Sequence, residues 1–294
     1  MASVAATPGW AARRPRFGAG WVWIVPPLLF LAVLFFYPLA LIVRESLASE
    51  GQGASLGQYG AVLSSALFHD ALLNTISIAL VASAGCLVLG FVLALVLSFV
   101  PFPGVRVVAR LIDTFIALPT FLVALSFTFI YGSAGLLNAS LMHALHLQLP
   151  PVDFLYSRWG VILAEVTVYT PFVLRPLLAS FSLLEPAQIE IASSLGAGPW
   201  RIIRQIILPA ALPALLAGGS LCLLLTVNEF GIVLFIGAKG VITLPLMVYD
   251  KAIQEFDYGT ACVIAVVNVA LSLSLYSLYR FTMARFGGAR AGLV

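Results

Sequence analysis

Six long apolar runs divide the sequence, and each is long enough for a helix to cross a lipid bilayer. At about 1.5 Å per residue, the first run, residues 21–43, spans about 35 Å as a helix, more than the roughly 30 Å hydrocarbon layer. A cleaved signal peptide has an apolar region of only about 7 to 15 residues, which favours an uncleaved helix over cleavage at Ser46-Leu47-Ala48. The other five runs cover residues 72–100, 114–131, 159–184, 210–236 and 260–281.

Charged residues are too few for a soluble protein of this length. Lys, Arg, Asp and Glu make up 9% of the 294 residues, and 62% are hydrophobic, whereas soluble domains are about a quarter charged. This composition argues against a soluble enzyme or a nucleic-acid-binding protein. Sustained alternation of the outer-membrane barrel kind is absent. The sequence therefore predicts an all-α integral membrane protein with six transmembrane helices.

The basic residues predict the orientation of these helices, because Lys and Arg near membrane spans are retained in the cytoplasm. Alternate loops collect ten arginines on one face: Arg13, Arg14, Arg16, Arg106, Arg110, Arg201, Arg204, Arg280, Arg285 and Arg290. The other face has only Arg44, Arg158, Lys239 and Lys251. We therefore expect both termini to be cytoplasmic.

The cytoplasmic loop of residues 185–209, between helices 4 and 5, is predicted to form a helix, a tight turn and a second helix. Pro186 suits a helical first turn, and the stretch from Gly196 to Pro199 ends that helix. Isoleucines such as Ile189 and Ile202 give both helices apolar faces, which a cytoplasmic loop leaves uncovered unless a partner protein or the membrane covers them. A docking surface for another protein is one interpretation, and an amphipathic hairpin lying on the inner leaflet is the other.

The same loop carries a spaced motif. Its residues match the pattern E-A-A-x3-G-x9-I-x-L-P at Glu190, Ala192, Gly196, Ile206, Leu208 and Pro209. This pattern resembles the cytoplasmic signature of permease subunits of binding-protein-dependent ABC importers. Ile191 departs from it, standing where the family has alanine. The resemblance implies the type I ABC importer permease fold, with the loop acting as a coupling helix that docks on a cytoplasmic ATPase.

Several partners and a domain organisation follow from this resemblance. The partners are a second permease subunit, as a paralogue or a second copy, two cytoplasmic ATP-binding subunits and a periplasmic substrate-binding protein. The resemblance also implies that ATP and Mg²⁺ are bound by the ATPase, that this chain binds no cofactor and that it is not an enzyme, and the sequence, which has no G-x4-GK[ST] loop, agrees. In a bacterial inner membrane the chain would comprise a cytoplasmic tail (1–20), helix 1 (21–43), a periplasmic loop (44–71), a permease core (72–284) and a cytoplasmic tail (285–294).

Other segments resemble the same superfamily and bear on the cargo. Asn74-Thr75, Leu118-Pro119 and the Glu-Phe-Gly element after Asn228 are similar to its members. Residues 113–120, 149–156 and 228–240 resemble a permease of 2-aminoethylphosphonate importers, which makes 2-aminoethylphosphonate the expected cargo. The Glu-Phe-Gly element is also similar to sulfate and molybdate permeases, so sulfate, molybdate, thiamine and ferric iron are the alternatives.

Glu165, Arg175 and Glu229 lie inside the apolar runs, where ionisable groups are costly and therefore candidate functional residues. Glu165 and Arg175 are about 15 Å apart along one helix and do not form a pair within it. For Arg175 two interpretations stay open, extension of its side chain to the cytoplasmic interface and a functional role inside the membrane. Glu165 is expected nearer the outer surface and within reach of water, as a candidate translocation residue.

Glu229 belongs to a small, polar stripe on the fifth helix, which also contains Gly218, Cys222 and Thr226 and should face protein or water. Counted from residue 210, Glu229 falls near the outer end of the helix, with Gly231 interrupting the helix there. Thr226, Asn228, Glu229 and Phe230 are therefore candidate translocation or gating residues. Two roles stay open for Glu229, a structural or gating group and a contact for an amine of the substrate.

Two other classes of membrane protein fit less well. An intramembrane enzyme needs several converging acids, histidines or metal ligands at one depth, and the sequence has only scattered ones. A secondary transporter predicts inverted repeats and ion-coupling acids, and it leaves the cytoplasmic loop unexplained. His143, His146 and the three cysteines do not have metal-ligand spacing, so we expect neither a metal site nor a disulfide.

Overall fold

A computed structural model describes residues 20–48 and 55–287, with side chains described for 23–48 and 55–281. The predicted N-terminal tail to residue 19, with Arg13, Arg14 and Arg16, and residues 288–294, with Arg290, lie outside this part. Regular structure in the described part is helical: α1 (Gly20–Leu31), α2 (Tyr37–Ser46), α3 (Gly57–Leu63), α4 (Ala66–Phe99), α5 (Val105–Ala117), α6 (Thr120–Tyr131), α7 (Leu136–Leu145), α8 (Arg158–Phe181), α9 (Pro186–Ser194), α10 (Pro199–Ile202), α11 (Leu208–Val227), α12 (Gly231–Ile236), α13 (Leu244–Tyr249) and α14 (Tyr258–Gly287). Three π-helical segments extend or join them: Ala32–Phe36, Ile203–Ile207 and Asp250–Gln254.

Six stretches of helix are long and apolar enough to cross a membrane, which confirms the predicted number. They are Trp23–Ser46, Ala66–Phe99, Thr120–Leu145, Arg158–Phe181, Pro199–Val227 and Tyr258–Phe281. In the text below they are the first to sixth spans.

The centre of the bundle is formed by α4, α8 and α11, which approach one another closely. Val173 of α8 lies where both neighbours have a glycine. A Cβ on Gly90 of α4 would be 3.0 Å from Val173 Cγ1, and one on Gly218 of α11 would be 2.8 Å from Val173 Cα. Gly218, Cys222 and Thr226 are buried against these helices, so the predicted stripe on the fifth span faces protein.

The first span lies at the periphery of the bundle. Its large apolar side chains are exposed, as expected for a helix that faces lipid, and its main contacts with the rest of the chain are made by α2 against α14. Ser46 at the end of α2 is buried, with its Oγ 2.8 Å from the hydroxyl oxygen of Tyr59 in α3.

The third span differs from the prediction, which treated residues 114–131 as one helix. Amphipathic α5 ends at Ala117, and α6 begins at Thr120. Leu118 between them is extended because the residue before a proline is disfavoured in the helical conformation. The helix of this span therefore begins after Pro119 and, after a short break, continues through α7.

The loop between the fourth and fifth spans forms the predicted helix, turn and helix. α9 ends in a turn at Gly196, whose φ is +82°, and α10 begins at Pro199. The second helix then continues through the π-helical segment into α11, so helix extends back to Pro199, well before the predicted start at residue 210. Pro209 has no N–H to donate to the preceding turn, and the π-helical segment lies just before it.

Candidate functional site

The hairpin made by α9 and α10 presents an apolar tip to its surroundings. Leu195 is 82% and Trp200 is 74% exposed, and Glu190 is exposed beside them. Ile191, where the resembling permeases have alanine, is also exposed. Its larger side chain therefore enlarges the outer apolar surface and disturbs no packing inside the chain.

Position 196 requires glycine because of its backbone conformation and not because a side chain would clash with neighbouring atoms. Its positive φ is disfavoured for residues with a side chain, whereas a Cβ there would have no heavy atom within 4 Å. The turn is closed by hydrogen bonds from Gly196 N to Ser193 O (2.9 Å) and from Ala197 N to Ala192 O (3.0 Å). The motif residues Ala192 and Gly196 thus set the angle between α9 and α10.

The opposite face of the hairpin borders an apolar groove of about 360 Å³ at the end of α4. Its lining residues include Phe99 of α4, Ile189 and Ile202 of the hairpin, and Ile207 of the π-helical segment that follows it. The hairpin therefore has an inner apolar face towards the bundle and an outer one that the described residues leave uncovered.

The last three motif residues lie where the hairpin joins the fifth span. Ile206 belongs to the π-helical segment and is partly buried, while Leu208 and Pro209 begin α11. They belong to the helix that carries the chain into the bundle and lie apart from the exposed tip.

The fifth span ends at Val227, and an unwound segment, Asn228 to Phe230, separates it from α12. Glu229, in the middle of this segment, is 6% exposed. Its Oε1 accepts a hydrogen bond from Ile232 N (2.8 Å), and its Oε2 accepts one from the hydroxyl of Tyr169. A carboxylate at the start of a helix accepts a hydrogen bond from a free backbone N–H group, and its negative charge interacts favourably with the positive end of the helix dipole. Gly231 therefore begins a helix that Glu229 stabilises, instead of interrupting one.

Tyr169 shows how deep this segment lies. It stands about halfway along α8, so Glu229 is level with the middle of the fourth span. The expected position near the outer end is wrong because counting residues along the fifth span does not give its depth relative to the neighbouring helices, which the contact with Tyr169 does.

Glu165 is 1% exposed, and its Oε2 has no hydrogen-bond partner. It lies one turn before Tyr169, the hydrogen-bond partner of Glu229, on α8. The expectation that water reaches Glu165 is therefore wrong for this conformation, since the sequence could not show which helix face α4 and α11 cover.

Polar residues that sequence reasoning mostly missed tie the unwound segment to the sixth span and the last turn of α11 to the second. The Asn228 side-chain amide donates to Ser272 Oγ (3.2 Å), and its Oδ1 accepts from Asn268 Nδ2 (3.0 Å). Thr226 Oγ1 lies 3.1 Å from Ser83 Oγ of α4. An asparagine inside an otherwise apolar run, such as Asn268, was the available signal.

Phe230 packs on Tyr249, with ring centroids 5.0 Å apart.

Asn74 and Thr75 hold the segment that follows α12. The Asn74 side chain donates to Ile242 O (3.0 Å) and accepts from an Arg158 guanidinium N–H (2.6 Å). Thr75 Oγ1 accepts from Leu244 N (2.8 Å). These two residues fix the backbone of the loop between α12 and α13 against α4.

Arg175 forms an ion pair with Asp113 of α5, with Nε and Oδ1 2.8 Å apart. Both side chains are more than a third exposed, so the pair contributes about 0 to 1 kcal/mol. Arg175 thus links α8 to α5, a partner that the sequence did not indicate.

Comparison with known proteins gives concordant results. The family model described as "Binding-protein-dependent transport system inner membrane component" matches residues 86–287. The chain is 60% identical over 266 residues to Salmonella typhimurium PhnU, whose name assigns it to a 2-aminoethylphosphonate transport system, covering 90% of this chain and 93% of that protein. It is 31% identical over 264 residues to the Escherichia coli sulfate transport system permease protein CysT, covering 88% and 91%.

Solved structures share the fold. A bacterial ABC transporter involved in the import of the polysaccharide alginate has a chain with a TM-score of 0.78 at 18% identity, covering 90% of this chain and 94% of that one. The MetNI methionine ABC transporter matches with a TM-score of 0.53 at 19% identity, covering 74% and 94%.

Proposed function

Because the chain belongs to the family of binding-protein-dependent transport system inner membrane components, we propose that the ABC importer of which it is a permease subunit takes up 2-aminoethylphosphonate. The supporting observation is the 60% identity to PhnU across nearly the whole of both chains. Sulfate is the second candidate, because the relative named for it covers a similar length at 31% identity.

The proposed assembly adds a second permease, two cytoplasmic ATP-binding subunits and a periplasmic binding protein. The exposed tip of the hairpin, with Leu195 and Trp200, supports a protein partner there, since exposed apolar patches favour an interface. Glu190 lies beside this tip and would meet a basic group of the ATPase. ATP and Mg²⁺ would be bound by that subunit, and this chain would carry no cofactor.

The proposed orientation has the hairpin in the cytoplasm of a bacterium, with both chain termini on the same side. Arg201 and Arg204 support it, because both are exposed beside the hairpin and arginine-rich loops stay inside. The start of α8, with Arg158, is then on the periplasmic side.

In this assembly the fifth span would transmit movement from the ATPase to the translocation path. Helix runs without interruption from Pro199 to Val227, so a displacement of the hairpin would move its far end as well. The unwound segment from Asn228 to Phe230 would absorb that movement, because residues between helices can change their dihedral angles.

Glu229 would be a structural or gating group in this mechanism and not a contact for the amine of the cargo. Its side chain is buried and both carboxylate oxygens accept hydrogen bonds inside the chain, so a passing ammonium group does not reach it in this conformation. The tie between Glu229 and Tyr169 would have to change if α12 moves relative to α8.

Uptake by the assembled transporter tests the cargo. A strain lacking this gene, complemented with wild-type chain or with empty vector, is given labelled 2-aminoethylphosphonate at micromolar concentration. We expect uptake only with the wild-type chain, undiminished by a hundredfold excess of sulfate. Uptake of labelled sulfate, with none of the phosphonate, would support the second candidate.

A further inference from the structure

A second cavity lies on the face of the bundle opposite the hairpin. Its volume is about 490 Å³, and its lining residues are Ser133, Asp153, Tyr156, Gly237 and Lys239. They come from the loops before α7, before α8 and after α12, all at the ends of helices that point away from the hairpin. A cavity of this volume is within the range that holds small-molecule ligands, about 300 to 1,000 Å³.

Two opposite charges line this cavity without pairing. Asp153 and Lys239 are both exposed, and they come from different loops. In the part of the chain that the structure describes, the ion pairs within 4 Å are Arg175 with Asp113 and Lys251 with Glu255. The carboxylate and the ammonium group therefore both remain available to a ligand that enters between them.

Two of the loops that line the cavity, those before α7 and before α8, are held by hydrogen bonds to one buried side chain. Asn138 is completely buried, and its amide donates to Gly132 O (2.9 Å) and Val152 O (2.8 Å) and accepts from Val152 N (3.0 Å). Gly132 and Val152 directly precede Ser133 and Asp153. One asparagine thus fixes two of the loops that line the cavity.

The third loop is equally well defined. Lys239 follows Ala238, which is buried, and Val241 closes the turn with a hydrogen bond from its N to Ala238 O (3.1 Å). Gly237 has a φ of +62° and ends α12. The charged side chain is therefore carried by a turn whose backbone is anchored in the core, which lowers the entropy lost when a ligand binds.

We infer that this cavity is a recognition site for a small zwitterion, with Asp153 contacting an ammonium group and Lys239 a phosphonate. The inference rests on the proposed cargo, since 2-aminoethylphosphonate carries these two groups two carbons apart. The hydroxyls of Tyr156 and Ser133 supply further donors to the phosphonate oxygens. A simple dianion such as sulfate leaves Asp153 unpaired and is repelled by it, so the cavity selects the zwitterion.

The cavity is also connected to the unwound segment of the fifth span. α12 is followed directly by Gly237 in the cavity wall and begins next to Glu229. A ligand that contacts the loop after α12 therefore acts on a short helix whose other end lies at the middle of the bundle.

Transport by charge variants tests the site in the complete transporter. We expect Asp153→Asn and Lys239→Gln each to raise the KM for 2-aminoethylphosphonate by about tenfold or more, the factor given by losing about 1.4 kcal/mol of binding. Asp153→Asn should also lose the preference for 2-aminoethylphosphonate over ethylphosphonate, which lacks the ammonium group. Asp70→Asn and Lys251→Gln remove the same charges from the outer side of the chain away from this cavity, and both should transport normally.

Two further variants separate binding from folding. Asp153→Glu keeps the charge and should retain most of the uptake, and the exchange Asp153→Lys with Lys239→Asp should recover part of what either single reversal loses. Normal KM values for both neutral variants, at wild-type amounts in the membrane, would overturn the site while leaving the proposed function intact. A wild-type transporter that takes up sulfate and no phosphonate would overturn the proposed function and the ligand of this cavity together.

Discussion

Replacing Gly218 with alanine tests the close approach of α8 and α11 by a single methyl group. The new Cβ would lie 2.8 Å from Val173 Cα and 3.0 Å from Phe172 O. Both are backbone atoms of α8, so no side-chain rotation relieves the contact, and the helices must separate by several tenths of an ångström. Overpacking of this kind costs about 1 to 3 kcal/mol, and the better helix propensity of alanine offsets about 0.5 to 1 kcal/mol of it. These ranges give a net loss of about 0 to 2.5 kcal/mol, and because both contacts are to backbone atoms we expect the upper part of it, about 1 to 2 kcal/mol.

Gly60→Ala is the matched control, because Gly60 also lies within a helix and a Cβ there would meet nothing within 4 Å. Thermal unfolding of the purified permease in nanodiscs measures both variants against the wild type. We expect the Gly218 variant to unfold about 2 to 8 °C lower and the control to unfold at or slightly above the wild-type temperature. Equal behaviour of the two variants would refute the claim that the contact between α8 and α11 sets the requirement for glycine.

Three further substitutions have defined outcomes. Gly196→Val forces a β-branched residue into a left-handed conformation at a cost of about 1 to 2 kcal/mol, and we expect it to abolish ATP-driven uptake while the protein stays inserted; full uptake would contradict the coupling role. Glu229→Gln should lower the uptake rate several-fold and leave the order of substrate preference unchanged, which competition between 2-aminoethylphosphonate and its analogues measures; acceptance of an uncharged analogue would indicate a substrate contact instead. Burial, together with Glu255, raises the pKa of Asp250 above its usual value near 3.8, with Lys251 opposing the shift. The folded protein therefore binds the Asp250 proton more tightly than the unfolded chain does. This binding adds to the free energy of unfolding below pH 3.8, and the added stability is lost as the pH rises through the raised pKa. Asp250→Asn should therefore unfold at a higher temperature than the wild type at neutral pH, and the difference should shrink as the pH falls towards 4; a difference that does not change with pH would contradict this.

Run length and the spaced loop motif were sufficient to predict six spans and the hairpin, because the bilayer sets the length of an apolar helix and glycine and proline mark its turns. Helix ends were predicted less well. α4 begins at Ala66, before the apolar run, because the Ser65 hydroxyl accepts a hydrogen bond from Phe68 N (3.2 Å) and caps a helix whose first residues include the polar His69 and Asp70. Hydropathy measures apolar character and does not detect such a cap.

The candidate residues in the membrane show a second limit. The sequence shows that Glu165 and Glu229 are unusual for apolar runs, and the stripe through Gly218 correctly indicates a face against protein. It does not show that Tyr169 contacts Glu229 from sixty positions away, or that Asn268 reaches Asn228. Those contacts depend on how α8 and α14 rotate against the fifth span, which a single sequence does not encode in any local pattern.

The contrast between the first and fourth spans bears on the order in which the chain can enter the bilayer during synthesis. In the most apolar stretch of the first span none of the residues is buried inside the protein. This helix therefore needs no neighbouring helix and is stable in lipid as soon as it leaves the translocon. In the most apolar stretch of the fourth span 61% are buried, and this helix carries Glu165, whose carboxyl group is costly in hydrocarbon. Its main neighbours are α4, already made, and α11, which is still to be synthesised. The fourth span therefore reaches its low-energy surroundings only after the ribosome has passed the fifth, so shortening the chain before residue 227 should expose it to membrane quality control.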